Sequence, residues 1–363
     1  MSSRVNPTKS TDIYEKIPLL RRAFGYAAAA EGAPLEPFAF DLGALQDDEV
    51  IVRVSHCGVC MSDVDILNNK YGRSEYPVVL GHELVGRVEA VGPAVTHLAP
   101  GDRVGVGPVR RACGACAACQ AGDDLFCPSL QLTAEPGGRG GLADRMRICA
   151  RFAFPIPDAL TAAEAAPLLC AGLTTYTPLK AWRRPGDRVG VLGVGGLGHL
   201  AVQFARRMGH AVTTFAIAPD AAERARHQAL GADTVVDLGD DAAVAAAAGS
   251  IDLLLSTIYG DVDWSRLMRL LRPHGRLCLV GAAESRLSLN PLQLIHGAKA
   301  VAGSGGGSHA DMVAMLAFAA REGVRPRIET LPLARVNEAF AAVQAGTVRY
   351  RMVVETNAAT GAA

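Results

Sequence analysis

Residues 188–209, RVGVLGVGGLGHLAVQFARRMG, predict a strand, a glycine-rich turn and a helix in direct succession. Residues 189–192 form a short apolar run, as expected for a buried strand. After the turn, apolar residues recur at steps of three and four, which predicts a helix with one apolar face. These apolar positions are Leu197, Leu200, Ala201, Phe204, Ala205 and Met208. Such a unit is typical of the first crossover in a doubly wound parallel sheet.

The turn between this strand and helix carries the glycine pattern of a dinucleotide-binding site. Gly193 permits a tight turn, Gly195 lets the backbone approach a pyrophosphate, and Gly198 lets helix and strand pack closely. Gly196 and Leu197 lead into the helix, whose first N–H groups and positive dipole end favour phosphate. Glycine-rich turns are common, but the strand before and the helix after make dinucleotide binding the favoured interpretation.

The composition indicates a globular protein with two domains. Of 363 residues, 50% are hydrophobic and 20% are charged, and the formal net charge is zero. Without a long basic run, neither nucleic acid nor an acidic membrane surface is expected as a partner. The polar N-terminus lacks the apolar core of a signal peptide, and no apolar stretch is long enough to span a membrane. We therefore expect a cytoplasmic protein whose first 20 or so residues form an arm.

The chain before the glycine turn predicts a β-rich domain. Residues 22–109 hold short strands, such as 49–54 and 85–91, separated by turns with glycine and proline. Thr161 followed by Glu164 is a capping box, which predicts a helix through Leu169.

From residue 188 onwards, strands alternate with helices, which predicts a parallel sheet. The later strands are predicted at residues 212–216, 235–237, 251–256 and 276–280. One helix is expected to begin at Asp220 and end at Gly231, and another to begin near Trp264 and end at Pro273.

Four of the nine cysteines lie close together in one loop and indicate a metal site. They are Cys113, Cys116, Cys119 and Cys127. Thiolates at these spacings can form a tetrahedron around Zn²⁺, and four of them leave no open position for chemistry. Iron–sulfur ligation is the rival interpretation, but structural zinc is favoured.

A second set of metal-ligating residue types is scattered along the chain. It comprises Cys60, His82, Glu83 and Cys170. Two thiolates and one imidazole with an open fourth position would make a catalytic zinc site. The spacing alone leaves other interpretations open: His82 could be a core histidine, Cys170 a buried thiol, and Cys57 with Cys60 a redox pair.

Several motifs in a constant order give the chain its resemblance to the zinc-dependent medium-chain dehydrogenases, in particular to their cinnamyl alcohol dehydrogenase-like branch. They are CGVCMSD (57–63), GHELVGRVEAVG (81–92), PGDRVGVG (100–107), the four-cysteine loop, PLLCAGLTTYTPLK (167–180), the glycine turn, LVGA (279–282), LNPLQLI (289–295) and VRYRMVV (348–354). The resemblance implies an α/β fold with a GroES-like β-barrel domain and a doubly wound Rossmann domain, with the active site in the cleft between them. We expect the first domain at 1–170, the second at 171–305 up to the glycines of 303–307, and a return to the first at 306–363.

The resemblance also implies the roles of individual residues. It places Cys60, His82 and Cys170 around a catalytic zinc, with Glu83 as an alternate ligand. Asp63 would orient His82, and Ser62 would pass a proton to or from the substrate oxygen. Zinc would polarise a carbonyl while the nicotinamide delivers hydride to its carbon.

Four departures from the family pattern concern the substrate and the exit of the proton. Met61 replaces a basic residue near the pyrophosphate, and Tyr71 replaces a tryptophan of the substrate pocket. Asp65 replaces the outer histidine of the proton relay, where an exposed carboxylate would stay ionised near neutral pH. It is interpreted either as a hydrogen-bond acceptor of the relay or as a solvated surface residue. The loop after Cys127 is also short.

The end of the second predicted strand bears on the choice of cofactor. An NAD-preferring fold places an acid there for the ribose, whereas this chain has no acid between Ala216 and Asp220. We therefore predict NADP(H) over NAD(H), with Arg224 as the candidate for the 2′-phosphate.

Together these features predict an NAD(P)-dependent zinc alcohol dehydrogenase, or aldehyde reductase, that acts on a hydrophobic small-molecule substrate. Two zinc ions per chain are expected, and the resemblance implies a homodimer. A reductase of conjugated C=C or iminium bonds is the second interpretation, although such branches often lack the zinc ligands or the hydroxyl retained here. A non-catalytic protein that binds zinc and NADPH is the third.

Overall fold

The computed structural model describes residues 17–134, 139–282 and 286–356. Most of the predicted N-terminal arm therefore lies outside the described residues. The contacts divide the chain into two units, one of residues 1–170 with 327–363 and one of residues 171–326. None of the helices in the described part of the chain is long and apolar enough to cross a membrane.

The first 170 residues are rich in short strands. The strands are β1 Arg22–Ala28, β2 Leu35–Asp41, β3 Glu49–Val59, β4 Leu84–Val91, β5 Arg103–Val106, β6 Val109–Arg111, β7 Gln131–Leu132, β8 Arg145–Cys149 and β9 Ala153–Pro155. The helices are α1 Met61–Leu67, α2 Ala117–Gln120 and α3 Ala162–Pro167. Short 3₁₀ turns lie at Leu19–Arg21, Asp124–Phe126 and Ala150–Phe152.

Strands and helices alternate in the second unit. Its strands are β10 Arg188–Leu192, β11 Ala211–Ala216, β12 Thr234–Asp237, β13 Ile251–Ser256, β14 Leu271–Leu279 and β15 Ala300–Gly303. Its helices are α4 Leu173–Trp182, α5 Gly198–Arg207, α6 Ala221–Leu230, α7 Asp241–Ala246, α8 Trp264–Met268, α9 Pro291–Ile295 and α10 His309–Glu322.

The C-terminal segment returns to the first unit as two strands and a helix. They are β16 Ile328–Pro332, α11 Val336–Gln344 and β17 Arg351–Glu355, with a 3₁₀ turn at Leu333–Arg335. Strand β17 pairs antiparallel with β3, opposite the stretch that leads to Cys60. The seven-stranded sheet of this unit runs in the order β16-β17-β3-β4-β5-β9, and β8 pairs with β3 off this path.

The second unit contains a six-stranded parallel sheet in the order β12-β11-β10-β13-β14-β15. The order reverses between β10 and β13, which is where doubly wound sheets bind their ligands, at the carboxyl ends of the strands. Fully buried apolar side chains such as Phe215 and Leu254 form its core. The predicted fold class, a GroES-like domain with a Rossmann domain, is confirmed.

Local signals placed several elements correctly. Thr161 and Glu164 form the predicted capping box, with Glu164 N donating to Thr161 Oγ1 over 3.2 Å. Asp220 caps α6, and Gly231 ends that helix in a left-handed conformation.

The units differ from the expected domains at residues 306–326, which belong to the second unit. Helix α10 packs there against α4, where Lys180 and Asp311 form an ion pair of 2.7 Å.

Two helix ends differ from the prediction. The helix expected to reach Leu169 is α-helical only to Pro167, and residues 168–172 form a π-helical turn. The helix expected to end at Pro273 stops at Met268, and Pro273 lies within the span of β14. There the register with β13 shifts between Ile251 and Leu253, so the proline sits in an irregularity that needs no ladder donor.

Candidate active site and metal centres

The first turn of helix α1 positions three predicted site residues. Strand β3 ends next to Cys60, which is the N-cap of α1. The Asp63 carboxylate accepts a hydrogen bond of 3.0 Å from the Cys60 backbone N–H, so the turn is closed by its own side chain. Ser62 Oγ lies 3.9 Å from Cys60 Sγ. The local sequence CMSD therefore fixes a thiol, a hydroxyl and a carboxylate on one helix start.

Asp63 also orients His82. Its Oδ1 lies 3.0 Å from His82 Nδ1 and accepts a hydrogen bond from Gly81 N at 2.9 Å. Burial opposes protonation of the imidazole, but the Asp63 carboxylate raises the pKa of His82 well above its ordinary value. Because Asp63 holds Nδ1, the other ring nitrogen is the one available as a ligand.

Four potential ligands converge at this point. One ligand atom from each of Cys60, His82, Glu83 and Cys170 lies within 4.8 Å of all the others. Cys170 is carried by the π-helical turn, a distortion that is frequent at functional sites. The Cys170 thiol hydrogen bonds to Cys60 and, against the effect of burial, holds the pKa of the Cys60 thiol well below its ordinary value. The cluster therefore favours a thiolate at Cys60.

Glu83 is completely buried and forms an ion pair with Arg351 of strand β17. Burial, opposed by this guanidinium, raises the pKa of Glu83 to about 7. Glu83 Oε2 has no hydrogen-bond partner among the described residues. A Cβ on Gly58 would lie 2.0 Å from this oxygen, so only glycine leaves room for the carboxylate. Sequence reasoning missed Arg351, which is 268 residues from Glu83 and carries no local signal.

The second cysteine set also converges. Ligand atoms of Cys113, Cys116, Cys119 and Cys127 lie within 4.8 Å of one another. Backbone N–H groups point at the sulfurs: Cys116 N lies 3.3 Å from Cys113 Sγ, and Cys113 N lies 3.3 Å from Cys127 Sγ. The N–H groups of Ala115 and Cys116 lower the pKa of the Cys113 thiol to about 6. All nine cysteines of the chain are free thiols.

In the second unit, the glycine turn joins β10 closely to helix α5. A Cβ on Gly198 would lie 1.9 Å from the carbonyl oxygen of Gly193, so helix α5 can start there only with glycine. Gly195 is exposed and has open space at its Cβ position, while Gly196 and Leu197 lead into the helix. Thr257, after β13, donates a hydrogen bond of 2.7 Å to the Gly193 carbonyl. Sequence reasoning missed this anchor of the turn.

The residues near the end of β11 are already engaged with the protein. Asp220 Oδ1 accepts a hydrogen bond of 2.6 Å from Glu223 N and thus acts as a helix cap. Arg224 donates to the carbonyl oxygens of Pro219, at 3.2 Å, and Val235, at 2.9 Å. Asp237 accepts from Ala218 N at 2.8 Å and stabilises the turn after β11. Arg224 is therefore held beside this turn by the backbone.

The expectation that Asp65 is exposed is wrong. Its side chain is buried, with 5% of the residue accessible. Tyr71 donates a hydrogen bond of 3.0 Å to Asp65 Oδ2, and Lys70 Nζ lies 3.5 Å from Oδ1. The carboxylate is sheltered because the chain folds back over α1 after residue 67, which the sequence pattern did not reveal.

Comparison with known families agrees with this geometry. Residues 46–158 match the model of the alcohol dehydrogenase GroES-like domain, and residues 196–321 match that of the zinc-binding dehydrogenases. The chain therefore belongs to the zinc-dependent medium-chain dehydrogenases, and it is an alcohol dehydrogenase.

Individual relatives place it in the cinnamyl alcohol dehydrogenase-like branch. A probable cinnamyl alcohol dehydrogenase 8A of Oryza sativa is 39% identical over 92% of this chain and 95% of its own length. The aldehyde reductase AdhA of Synechocystis is 38% identical over 91% of this chain and 97% of its own. A cinnamyl alcohol dehydrogenase structure from Sorghum bicolor, 38% identical, aligns with a TM-score of 0.87 over 92% of this chain and 97% of its own. A structure from Helicobacter pylori in complex with NADP(H), 28% identical, aligns with a TM-score of 0.85 over 93% of this chain and 98% of its own.

Proposed function

We propose that this protein interconverts a primary alcohol and its aldehyde with NADP(H), and that its substrates are aromatic or otherwise hydrophobic. The observation that carries the proposal is the convergence of Cys60, His82 and Cys170 beside the hydroxyl of Ser62. The names of the relatives, cinnamyl alcohol dehydrogenase and aldehyde reductase, support this substrate class.

The donor atoms suit a catalytic zinc. Two thiol sulfurs and an imidazole nitrogen are the ligand types of open zinc sites, and Asp63 supplies the carboxylate that usually supports a ligating histidine. Glu83 would be an alternate ligand of this zinc, and its negative charge is balanced by the guanidinium of Arg351. When bound, the zinc supplies a Lewis acid for the carbonyl oxygen, and the nicotinamide supplies the hydride.

The four-cysteine loop suits a second, structural zinc. Four sulfurs close the coordination shell, and the backbone N–H groups of Ala115 and Cys116 favour the thiolate form of Cys113. Such a site contributes stability and takes no part in the chemistry.

The proton that accompanies hydride transfer is assigned to Ser62. Ser62 lies in the first turn of α1, which is closed by the capping arrangement of Asp63, and its hydroxyl is 3.9 Å from Cys60 Sγ. A hydroxyl so placed can donate to the substrate oxygen during reduction and accept the proton during oxidation. Asp63 acts on the neighbouring imidazole and keeps the ring in one orientation.

Ser62→Ala is expected to lower kcat on the order of 10²-fold or more, because positioned proton transfer contributes on that scale. Asp65→Asn should cost far less, since the amide still accepts a hydrogen bond from Tyr71. Steady-state kinetics with saturating cofactor measure both. Ser74→Ala is the matched control, because its hydroxyl bonds the Ile66 carbonyl of the same helix. A loss of kcat for Asp65→Asn as large as for Ser62→Ala would instead make Asp65 a catalytic base.

NADPH is expected to give a kcat/KM roughly tenfold or more above that of NADH, as a charge-assisted contact to the 2′-phosphate would provide. The first acid after β11 in the sequence, Asp220, is occupied as a helix cap, the Asp237 carboxylate is bonded to the turn at Ala218 N, and Arg224 is held next to the turn. Arg224→Gln should reduce the preference, whereas Arg226→Gln on the same helix should leave it unchanged. A clear preference for NADH in the wild-type protein would refute this assignment.

The function itself is tested by assaying zinc-loaded protein against a panel of aromatic and aliphatic aldehydes with both reduced cofactors. Oxidation of the cofactor with formation of the matching alcohol supports the proposal. Binding of zinc and NADPH without turnover of any aldehyde would contradict it.

A further inference from the structure

The glycine turn of the second unit is held by a side chain from the end of a neighbouring strand. Thr257 follows β13 directly, and its hydroxyl donates a hydrogen bond to the Gly193 carbonyl oxygen over 2.7 Å. The same hydroxyl lies 3.1 Å from the carbonyl oxygen of Leu192, the last residue of β10. Among the described residues, no other donor bonds the Gly193 carbonyl. The orientation of this carbonyl therefore depends on Thr257.

The Gly193 carbonyl is also where the turn comes closest to helix α5. A Cβ on Gly198, the first residue of the helix, would lie 1.9 Å from this oxygen and 3.1 Å from Thr257 Oγ1. The carbonyl, the hydroxyl and the start of the helix are thus packed against one another. Because such packing leaves no slack, a shift of the Gly193 carbonyl would also shift the start of the helix.

Thr257 is itself fixed by the strands on both sides of it. Its N–H donates to the Leu192 carbonyl over 3.0 Å, and Gly281 N, just after β14, donates to the Ser256 carbonyl over 3.1 Å. A Cβ on Gly281 would lie 2.7 Å from the Thr257 carbonyl carbon, so these two strand ends pack backbone to backbone. Since β10, β13 and β14 are neighbours in the sheet, Thr257 joins a rigid sheet edge to the glycine turn.

The turn has donors without acceptors, whereas its carbonyls are engaged. Among the residues that the structure describes, the backbone N–H groups of Gly195, Gly196 and Leu197 have no hydrogen-bond acceptor. The Gly195 carbonyl lies 3.1 Å from both the backbone nitrogen and the ring Nδ1 of His199. With the Gly193 carbonyl held by Thr257, the N–H groups are the part of the turn that is left to bind an anion.

We propose that Thr257 is a positioning residue that holds the glycine turn in the conformation in which its N–H groups bind the cofactor pyrophosphate. The inference rests on the proposed function and deepens it by naming a residue that orders the cofactor site. A turn that is ordered in advance loses less conformational freedom when the phosphates bind. Thr257 acts only through the backbone of the turn and takes no part in hydride or proton transfer. Because NADPH and NADH share the pyrophosphate, both should depend on it equally.

The test measures the Kd of NADPH and of NADH for zinc-loaded protein by the fluorescence of the reduced nicotinamide. Thr257→Ala should raise both Kd values roughly three- to tenfold, the scale of one lost hydrogen bond whose acceptor is left unpaired. Thr257→Val should bind at least as weakly, because a methyl group would replace the oxygen that lies 2.7 Å from the Gly193 carbonyl. The KM for each cofactor should rise with its Kd, while kcat at saturating NADPH should stay within about twofold.

Three further variants separate positioning from other effects. Thr257→Ser keeps the donor, so both Kd values should stay within about twofold of the wild type. Thr214→Val removes another hydroxyl of the same sheet, 3.0 Å from His227 Nδ1, and should leave cofactor binding unchanged. Arg224→Gln should change the ratio of the two Kd values, whereas the Thr257 variants should raise both and leave their ratio unchanged.

Unchanged Kd values in both Thr257→Ala and Thr257→Val would overturn the proposal. So would a Thr257→Ser variant that binds as weakly as Thr257→Ala, since the hydroxyl would then not be the cause. The Kd values decide this inference even if the wild-type protein reduces no aldehyde, a result that would contradict only the proposed function. A wild-type protein that binds neither NADPH nor NADH would contradict both.

Discussion

Cys170→Ser is expected to leave a folded protein with little turnover. Cys170 is one of four side chains whose ligand atoms lie within 4.8 Å of one another, and its thiol hydrogen bonds to Cys60. A serine hydroxyl is a far weaker zinc ligand than a thiolate, so the open site should lose its metal or hold it badly. Because Lewis-acid assistance contributes several kcal/mol, kcat should fall on the order of 10²- to 10⁴-fold.

The fold should tolerate this change, since the capping of α1 and the Asp63–His82 hydrogen bond do not involve Cys170. Kinetics, zinc analysis and circular dichroism together measure the result. Cys149→Ser is the matched control: Cys149 is also buried, and serine can replace its hydrogen bond to Asp48. Full activity in Cys170→Ser, or full activity in wild-type protein with no zinc, would contradict the assignment.

Cys116→Ser is expected to have the opposite effect to Cys170→Ser: it should lower the thermal stability of the protein more than its turnover. The four-cysteine loop is held by hydrogen bonds to its sulfurs, and two of its cysteines, Cys113 and Cys116, are not buried. With so little apolar packing, most of its order should come from the metal, whose binding energy is folding energy. Loss of one thiolate should remove this zinc and lower the apparent Tm on the order of 10 °C.

Thermal melting followed by zinc analysis tests this second prediction. The wild-type protein should contain two zinc ions, and Cys116→Ser should retain only the one held by Cys60, His82 and Cys170. A chelator that strips the loop zinc from the wild type should lower its Tm to that of the variant. An unchanged melting temperature together with unchanged zinc content would show that the loop holds no structural metal.

The features that could be predicted from the sequence are those determined by residues close together in the chain. The strand, glycine turn and helix of residues 188–209 are set by side-chain periodicity and by the space at Gly198. The cap at Asp220 and the end at Gly231 depend on neighbours within a few residues. The four-cysteine loop belongs to the same class, because all its ligands lie within 15 residues, 113–127.

The scattered site could be proposed only through resemblance. Cys60, His82 and Cys170 stand far apart in sequence, and each has an ordinary interpretation when taken alone. They converge because a strand end, a loop and a π-helical turn lie close together in one unit. The local periodicity of the sequence does not predict this convergence.

The sequence by itself therefore determined the α/β organisation of the second unit, the glycine turn and the grouping of four cysteines in one loop, since these follow from local periodicity and from residue chemistry. The tertiary structure alone decided the burial of Asp65 beneath Tyr71, the pairing of Glu83 with Arg351, and the anchoring of the glycine turn by Thr257. Each of these depends on a chain reversal or on strand pairing that joins distant segments. Burial and charge compensation arise only when those segments pack together, which is why a carboxylate expected in solvent is enclosed.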